Sequence, residues 1–289
     1  MADLAVFGGT GFLGRCIVEA LLAEGHRVRV VARSPEAAGM PPGAVPVQAD
    51  ILRPETVAPA LEGADGAVNA VSLYLEHGEV TFQAVHVDGA ARVAEAARAA
   101  GLDRYVHVSG IGADAASADP FIRSRGAGEV AVREACPYAS IVRPSVMVGE
   151  GDAIRSTILR VIRHQPVFPL FGRGDTRLQP VHRADVAAAI ARLLTMEAPA
   201  PLYEFGGAET YRYETLVREV ARAAGQRVWP VPVPFLAWRA VALVAERLPG
   251  APLTRSQVAL VRQDNVASAD LPNLGELGIT PTDIVDDMG

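Results

Sequence analysis

The sequence predicts an α/β fold: a doubly wound parallel sheet carried by the N-terminal half, with a smaller C-terminal α/β lobe. Three observations point there. Short valine-rich apolar runs recur at 4–7, 28–32, 45–49, 67–71, 105–109 and 140–142. They lack clean polar alternation, as strands covered on both faces do. Stretches of helical periodicity lie between them, and a glycine-rich turn follows the first run directly.

In chain order, the first helix gathers Leu13, Ile17, Val18, Leu21 and Leu22 into one stripe and ends at Gly25. An alanine-rich helix covers 87–100 and is closed by Gly101. Such alternation of strand and helix requires right-handed crossovers. After residue 150 the rhythm breaks. A helix is expected over 154–164, a loop at Pro166, Pro169, Gly172 and Gly174, and a helix over 184–195. A late strand follows at Leu202–Phe205, a helix near 213–224, a proline-rich approach at 229–234 and a helix over 235–248.

Composition narrows the partners. Of the 289 residues, 50% are hydrophobic and 21% charged, the profile of a globular protein with a substantial core. The net charge of −6 is mild and comes with no basic tract, which argues against nucleic acid. All 27 basic residues are arginine. Cys16 and Cys136 have no metal-ligand or disulfide spacing and read as buried free thiols inside helical stretches. Met1, Ala2 and Asp3 lead straight into the first strand, leaving no room for a signal peptide, and no apolar run approaches the ~18 residues of a span. A cytoplasmic protein is expected, with peripheral contact at the inner face of a membrane left open.

The turn reads Gly8, Gly9, Thr10, Gly11, Phe12, Leu13, Gly14. Gly8 permits the tight turn, Gly11 lets backbone approach a pyrophosphate, and Gly14 lets helix pack on strand, while the helix start favours phosphate charge. A structural turn without ligand also uses glycine, but this one joins strand to helix inside a βαβ unit, the setting of a Rossmann-type dinucleotide site. At the end of the second strand, where an acid would hold the ribose of NAD(H), stands Arg33, and Arg15 follows the last glycine. Arginine suits a 2′-phosphate, so NADP(H) is preferred and NAD(H) is the alternative; a solvated surface charge is the plain reading of either arginine. Asp50 and Ile51 are placed to meet the adenine, and Ala70 and Val71, after Asn69, to pass the cofactor near its middle. The expected division is 1–150 for the Rossmann domain, with 176–200 returning to it. Residues 151–175 and 201–289 form the smaller lobe that shapes a substrate or partner pocket.

GGTGFLG, HVSGIG at 107–112, IVRPSV at 141–146 and QPVHRADVA at 179–187 together resemble the extended and atypical short-chain dehydrogenases/reductases. Among these the sequence resembles the NAD(P)H-binding accessory subunit of respiratory complex I and its bacterial relatives. That likeness includes FIRSRGAGEVAV at 121–132, LYEFGG at 202–207 and DNV at 264–266. The resemblance implies a catalytic Tyr-x-x-x-Lys pair and a serine, and it places Phe121 at the tyrosine, Arg125 at the lysine and Ser109 at the serine. If the register shifts by one, Gly110 takes the serine's place. It also implies cofactor contacts from Ser109, Arg125 and Pro144. Phenylalanine cannot transfer a proton, a role worth ~10²–10⁴ in rate, and no lysine exists elsewhere.

Other candidates are weaker. The six histidines, His26, His77, His86, His107, His164 and His182, show no HxH or HExxH spacing, so no metal is expected. His107 reads as a satisfied core histidine. Tyr74, Tyr138 and Tyr203 are alternative hydroxyls, and Asp185 reads as a cap or orienting group for its helix. The helix over 235–248 carries Phe235, Leu236, Trp238, Val241, Leu243 and Val244 with Arg239, Glu246 and Arg247. It serves either lobe packing or docking to a partner or membrane. Two functions are expected: a structural or regulatory NADP(H)-binding protein with a respiratory-chain or quinone-related partner, or an unconventional NADPH-dependent reductase, epimerase or isomerase of a small molecule.

Overall fold

The structure, a computed structural model, describes residues 1–36, 39–163, 165–247 and 253–284. The first half alternates as the sequence predicts: β1 (Asp3–Phe7), α1 (Phe12–Ala23), β2 (Arg27–Ala32), β3 (Val45–Gln48), α2 (Pro54–Leu61) and β4 (Gly66–Asn69). A π-helical stretch, Gln83–Gly89, runs into α3 (Ala90–Ala99), followed by β5 (Arg104–Val108), α4 (Pro120–Ala135) and β6 (Ser140–Pro144). The second half adds β7 (Met147–Val148), α5 (Ala153–Ile162), β8 (Val167–Phe171), β9 (Arg177–Leu178), β10 (Val181–His182) and α6 (Arg183–Thr195). It closes with β11 (Leu202–Phe205), β12 (Tyr211–Arg212), α7 (Tyr213–Ala223), β13 (Trp229–Val233), α8 (Phe235–Ala245) and α9 (Arg255–Val261).

The central sheet is seven-stranded in the order β11-β6-β5-β4-β1-β2-β3, and every pairing in it is parallel. The order reverses between β1 and β4, the switch point outside which ligands bind in such sheets. One apolar layer packs α1 and α6 on the sheet, with Ile17, Val18, Ile190 and Leu193 fully buried. The opposite layer packs α2, α3 and the end of α4 through Val57, Leu61, Val93 and Val132.

Several expectations need correction. Leu202–Phe205 does form a strand, but it pairs with β6 in the central sheet rather than in the smaller lobe. Leu274 and Leu277 also join the α1/α6 layer, so the stretch 201–289 is shared between the two parts. The loop expected around Pro166 and Pro169 is largely strand β8, paired in parallel with the proline-rich β13. One proline in β8 (Pro169) and two in β13 (Pro230 and Pro232) leave few ladder donors, which fits the two-stranded edge pairing prolines tolerate. The helix expected over 87–100 begins earlier, in π form. His164 and Leu248, at the expected ends of two helices, lie outside the described residues. Cys136 is buried but caps the end of α4, and Cys16 is only half-buried.

Two features fix α4, which carries Phe121 and Arg125. A Cβ on Gly128 would sit 2.0 Å from the backbone oxygen of His86, so glycine is what lets α4 cross the π-helical turn this closely. On the sheet side, buried Glu129 accepts two hydrogen bonds from Arg143 of β6, at 2.8 and 2.6 Å. Arg143 reaches Glu204 of β11 as well, at 3.3 Å.

Candidate functional site

The glycine turn forms a cradle between β1, α1 and the end of β4. Gly8 has φ +77°, a left-handed conformation that disfavours side chains, and its N–H donates to Val31 O at 2.9 Å. A Cβ there would meet Ala70 O and Val71 N at 3.1 Å, which brings Gly8, Ala70 and Val71 together. A Cβ on Gly14 would lie 2.1 Å from Gly8 O. Gly11 is the N-cap of α1, and no side chain among the described residues caps it, so the first-turn N–H groups are available to an anion.

Around this cradle the predicted residues divide. Leu13 is core, so only its backbone belongs to the turn. The Phe12 ring lies 4.8 Å from the Arg183 guanidinium. Arg15 is tied to backbone, donating to Thr10 O and Gly39 O at 3.1 Å each. Arg33 is exposed just past the end of β2, its own carbonyl held by Gln48 at 3.0 Å. Asp50 accepts from Leu52 N–H at 3.0 Å. Ile51 is buried, and its side chain fills the space beside Gly89.

At the strand ends, buried polar atoms stand without partners. Among the described residues neither Ser109 Oγ, His107 Nδ1 nor Asn69 Nδ2 has a hydrogen-bond partner. His107 is therefore buried but not satisfied, contrary to the expectation from sequence. Buried groups in that state call for water or a ligand. An uncapped helix start, a cradle that Cβ atoms would fill, and orphaned donors and acceptors beside it fit a dinucleotide. Arg125 donates to Ser72 Oγ at 3.1 Å and to Val108 O at 3.3 Å. A Cβ on Gly110 would come within 3.7 Å of the Arg125 guanidinium and 3.9 Å of Pro144 O. Arg125, Gly110 and Pro144 thus meet, and the Pro144 carbonyl accepts from Ile111 N–H at 3.1 Å.

Phe121 sits in an aromatic cluster: stacked on Tyr74 at 5.6 Å, and edge-on to Phe82 at 5.4 Å and His86 at 5.5 Å. His86 is the residue sequence reasoning passed over. Its Nε2 accepts from Leu73 N–H at 3.0 Å, so the proton resides on Nδ1, which donates to Ser124 Oγ at 2.9 Å. Ser124 in turn donates to Phe121 O at 2.8 Å. Burial first, then the Arg125 guanidinium, pushes both His86 and His107 down to about 3. His86 and Ser124 lie 38 positions apart, and no local pattern announces the pair.

The other hydroxyl candidates do not converge here. Tyr203 accepts from Ala200 N–H at 2.8 Å, and Tyr138 is exposed before β6. Only Tyr74 reaches the Phe121 cluster. Asp185 is not a cap: His182 caps α6, while Asp185 accepts from the Thr282 N–H and hydroxyl at 2.7 and 2.8 Å and ties down the C-terminal segment.

Residues 8–197 match the family described as NAD(P)H-binding. The chain is 30% identical over 281 residues to the mitochondrial NADH dehydrogenase [ubiquinone] 1 alpha subcomplex subunit 9 of Arabidopsis thaliana, covering 92% of this chain and 69% of that one. It is 36% identical over 189 residues to a ceramide reductase of Caulobacter vibrioides, covering 65% of this chain and 59% of that one. Its fold is similar to that of an NADPH-dependent quinone oxidoreductase of Escherichia coli complexed with NADPH, with a TM-score of 0.76 at 21% identity over 99% of this chain and 98% of that one. The chain belongs to the NAD(P)H-binding family and is related to the NADH dehydrogenase [ubiquinone] 1 alpha subcomplex subunit 9 proteins.

Proposed function

We propose that the chain binds NADP(H) as a structural or regulatory ligand, without tyrosine–lysine catalysis, in the service of respiratory or quinone metabolism. The observation that carries this reading is the state of the groups around Phe121. Its ring has no hydroxyl, and His86 beneath it is held neutral with both ring nitrogens hydrogen-bonded. Arg125 offers only donors and does not titrate near neutrality. Exposed Arg33 supports a 2′-phosphate and hence NADP(H) over NAD(H). Similarity to the complex I subunit supports a respiratory-chain partner. Bound nucleotide would stabilise the fold by mass action, about 2.7 kcal/mol at a hundredfold excess over Kd, enough to make docking depend on it.

A second reading rests on a specific observation. Ser109 Oγ and His107 Nδ1 are buried and unpartnered among the described residues, and they could orient a carbonyl or a water. NADPH supplies hydride chemistry by itself, so a reductase, epimerase or isomerase of unconventional mechanism would need only a proton from these groups or from solvent. Titrating the protein with NADPH and NADH by cofactor fluorescence and thermal shift, then offering quinones, enones and sugar nucleotides, separates the two. Tight NADPH binding without oxidation supports the first reading; turnover with any acceptor overturns it in favour of the second.

A further inference from the structure

The helix α8 is apolar on both sides. Its inner stripe packs on the lobe: the Trp238 ring lies 4.5 Å from that of Phe171, its indole N–H donates to Leu170 O at 2.8 Å, and Ala242 and Ala245 are buried. The outer side carries Leu236, Val241, Leu243 and Val244, all exposed, with Leu236 at 78% and Val244 at 61%. Leu236, Ala240, Leu243 and Val244 recur at i, i+4, i+7 and i+8, the spacing of one continuous helical face. The strand β13, which leads into α8 through Pro234, adds exposed Val231 and Trp229, the latter at 65%. A helix apolar all round is ordinarily buried, and single scattered apolar residues would not make such a face.

Charge says what covers it. The chain is acidic overall, at −6, yet residues 229–263 contain four arginines and one glutamate. That glutamate, Glu246, is engaged by Arg255, through its backbone N–H at 2.7 Å and its guanidinium at 2.8 Å. Arg239 and Arg247 are exposed beside the apolar face. A second copy docking symmetrically would bring two further arginines to a segment, 229–263, whose one carboxylate is already engaged by Arg255. An apolar face with a tryptophan nearby and an arginine rim is complementary to an anionic lipid surface.

We infer that the outer face of α8 lies in the interfacial layer of an anionic bilayer, with Leu236, Leu243 and Val244 among the acyl chains and Arg239 and Arg247 at the headgroups. This is a peripheral seat: among the described residues no helix is long and apolar enough to cross a membrane. The seat is one helix removed from the candidate site. The Arg262 guanidinium, at the C-cap of α9, lies 5.9 Å from the Phe235 ring, and Leu260 of α9 packs on the Phe82, Phe121 and Ile122 cluster. The inference does not depend on whether the protein turns over its cofactor.

Co-sedimentation of the full chain with phosphatidylcholine vesicles, with and without phosphatidylglycerol, tests it. The expected result is binding to the anionic vesicles at low salt and release at about 1 M salt, where the screening length is ~3 Å. Arg239→Gln and Arg247→Gln should each weaken partitioning about fivefold. Leu236→Glu with Val244→Glu should abolish it while leaving the NADPH-induced thermal shift unchanged. Failure to sediment with anionic vesicles overturns the inference, as does binding that the glutamate variants leave intact. Light scattering that shows a dimer broken by those variants overturns it too, and reassigns the face to a contact between copies.

Discussion

His86 donates a hydrogen bond from its Nδ1–H to Ser124 Oγ across 2.9 Å, and because Leu73 N–H occupies Nε2, the ring is locked as one neutral tautomer. Its folded value, pushed down to about 3, lies below the ordinary 6.5. The unfolded chain therefore takes up a proton first as pH falls. Stability is full above about 6.5 and is lost progressively towards 3, at about 1.4 kcal/mol per pH unit. His107 moves in the same direction. His86→Gln should be less stable than the parent at pH 7, with the gap narrowing by about 2 kcal/mol at pH 5. Urea midpoints across that range measure it. A gap that does not change with pH would mean the histidine is not held neutral.

Phe121 is the simplest place to ask whether the scaffold can still do chemistry. The double variant Phe121→Tyr with Arg125→Lys supplies a hydroxyl and a compact cation on α4 where the resemblance places the catalytic pair. NADPH oxidation with a quinone panel should rise by about 10²-fold. No gain, with cofactor binding retained, would show that the aromatic cluster of Tyr74, Phe82 and His86 has closed the site to a carbonyl substrate.

The cradle should be intolerant of a single methyl group. In Gly14→Ala the new carbon would fall 2.1 Å from Gly8 O, a backbone atom with no rotamer to escape through. Turn and helix must part, at a cost of about 1–3 kcal/mol. NADPH binding should fall at least tenfold in a fluorescence titration, alongside a lower Tm. An unchanged affinity would place the nucleotide elsewhere.

Much of this architecture was legible in the residues. The first five strands and the first helix follow from valine runs and one apolar stripe, because both local patterns persist through folding. Where context decides, the sequence misleads. Pro166 and Pro169 read as loop because a proline cannot donate to a ladder, yet β8, which holds only Pro169, pairs with β13, a strand still poorer in donors. Leu202–Phe205 looks like a strand of the late lobe because nothing local records that it lies beside β6. The glycine motif gave away the cradle, since each glycine answers a local steric need. His86 and Ser124 stayed hidden because their meeting depends on α4 crossing a π-helical turn at Gly128.

Cofactor choice should turn on Arg33. Arg15 already donates to Thr10 O and Gly39 O, while Arg33 stands exposed past the end of β2. A hydrogen bond to a charged group is worth about 1.5–3 kcal/mol, so Arg33→Ala should weaken NADPH at least tenfold and leave NADH nearly unchanged. Equal losses for both cofactors in parallel titrations would rule out a role in reading the 2′-phosphate.

Arg143 joins three elements under the site: its guanidinium meets Glu129 of α4 at 2.6 Å and Glu204 of β11 at 3.3 Å. Both carboxylates are buried, and Glu204 also accepts from Ser268 N–H at 2.9 Å. Removing the arginine leaves two like charges buried without a counterion, which costs more than the pair's own net worth. Arg143→Met should therefore destabilise by about 3–5 kcal/mol. Adding Glu129→Gln should recover part of the loss, because one uncompensated charge then disappears. Chemical denaturation of the two variants decides the point. If the second substitution deepens the loss instead, Glu129 is held by something other than Arg143, and α4 is anchored to the sheet by packing rather than by charge.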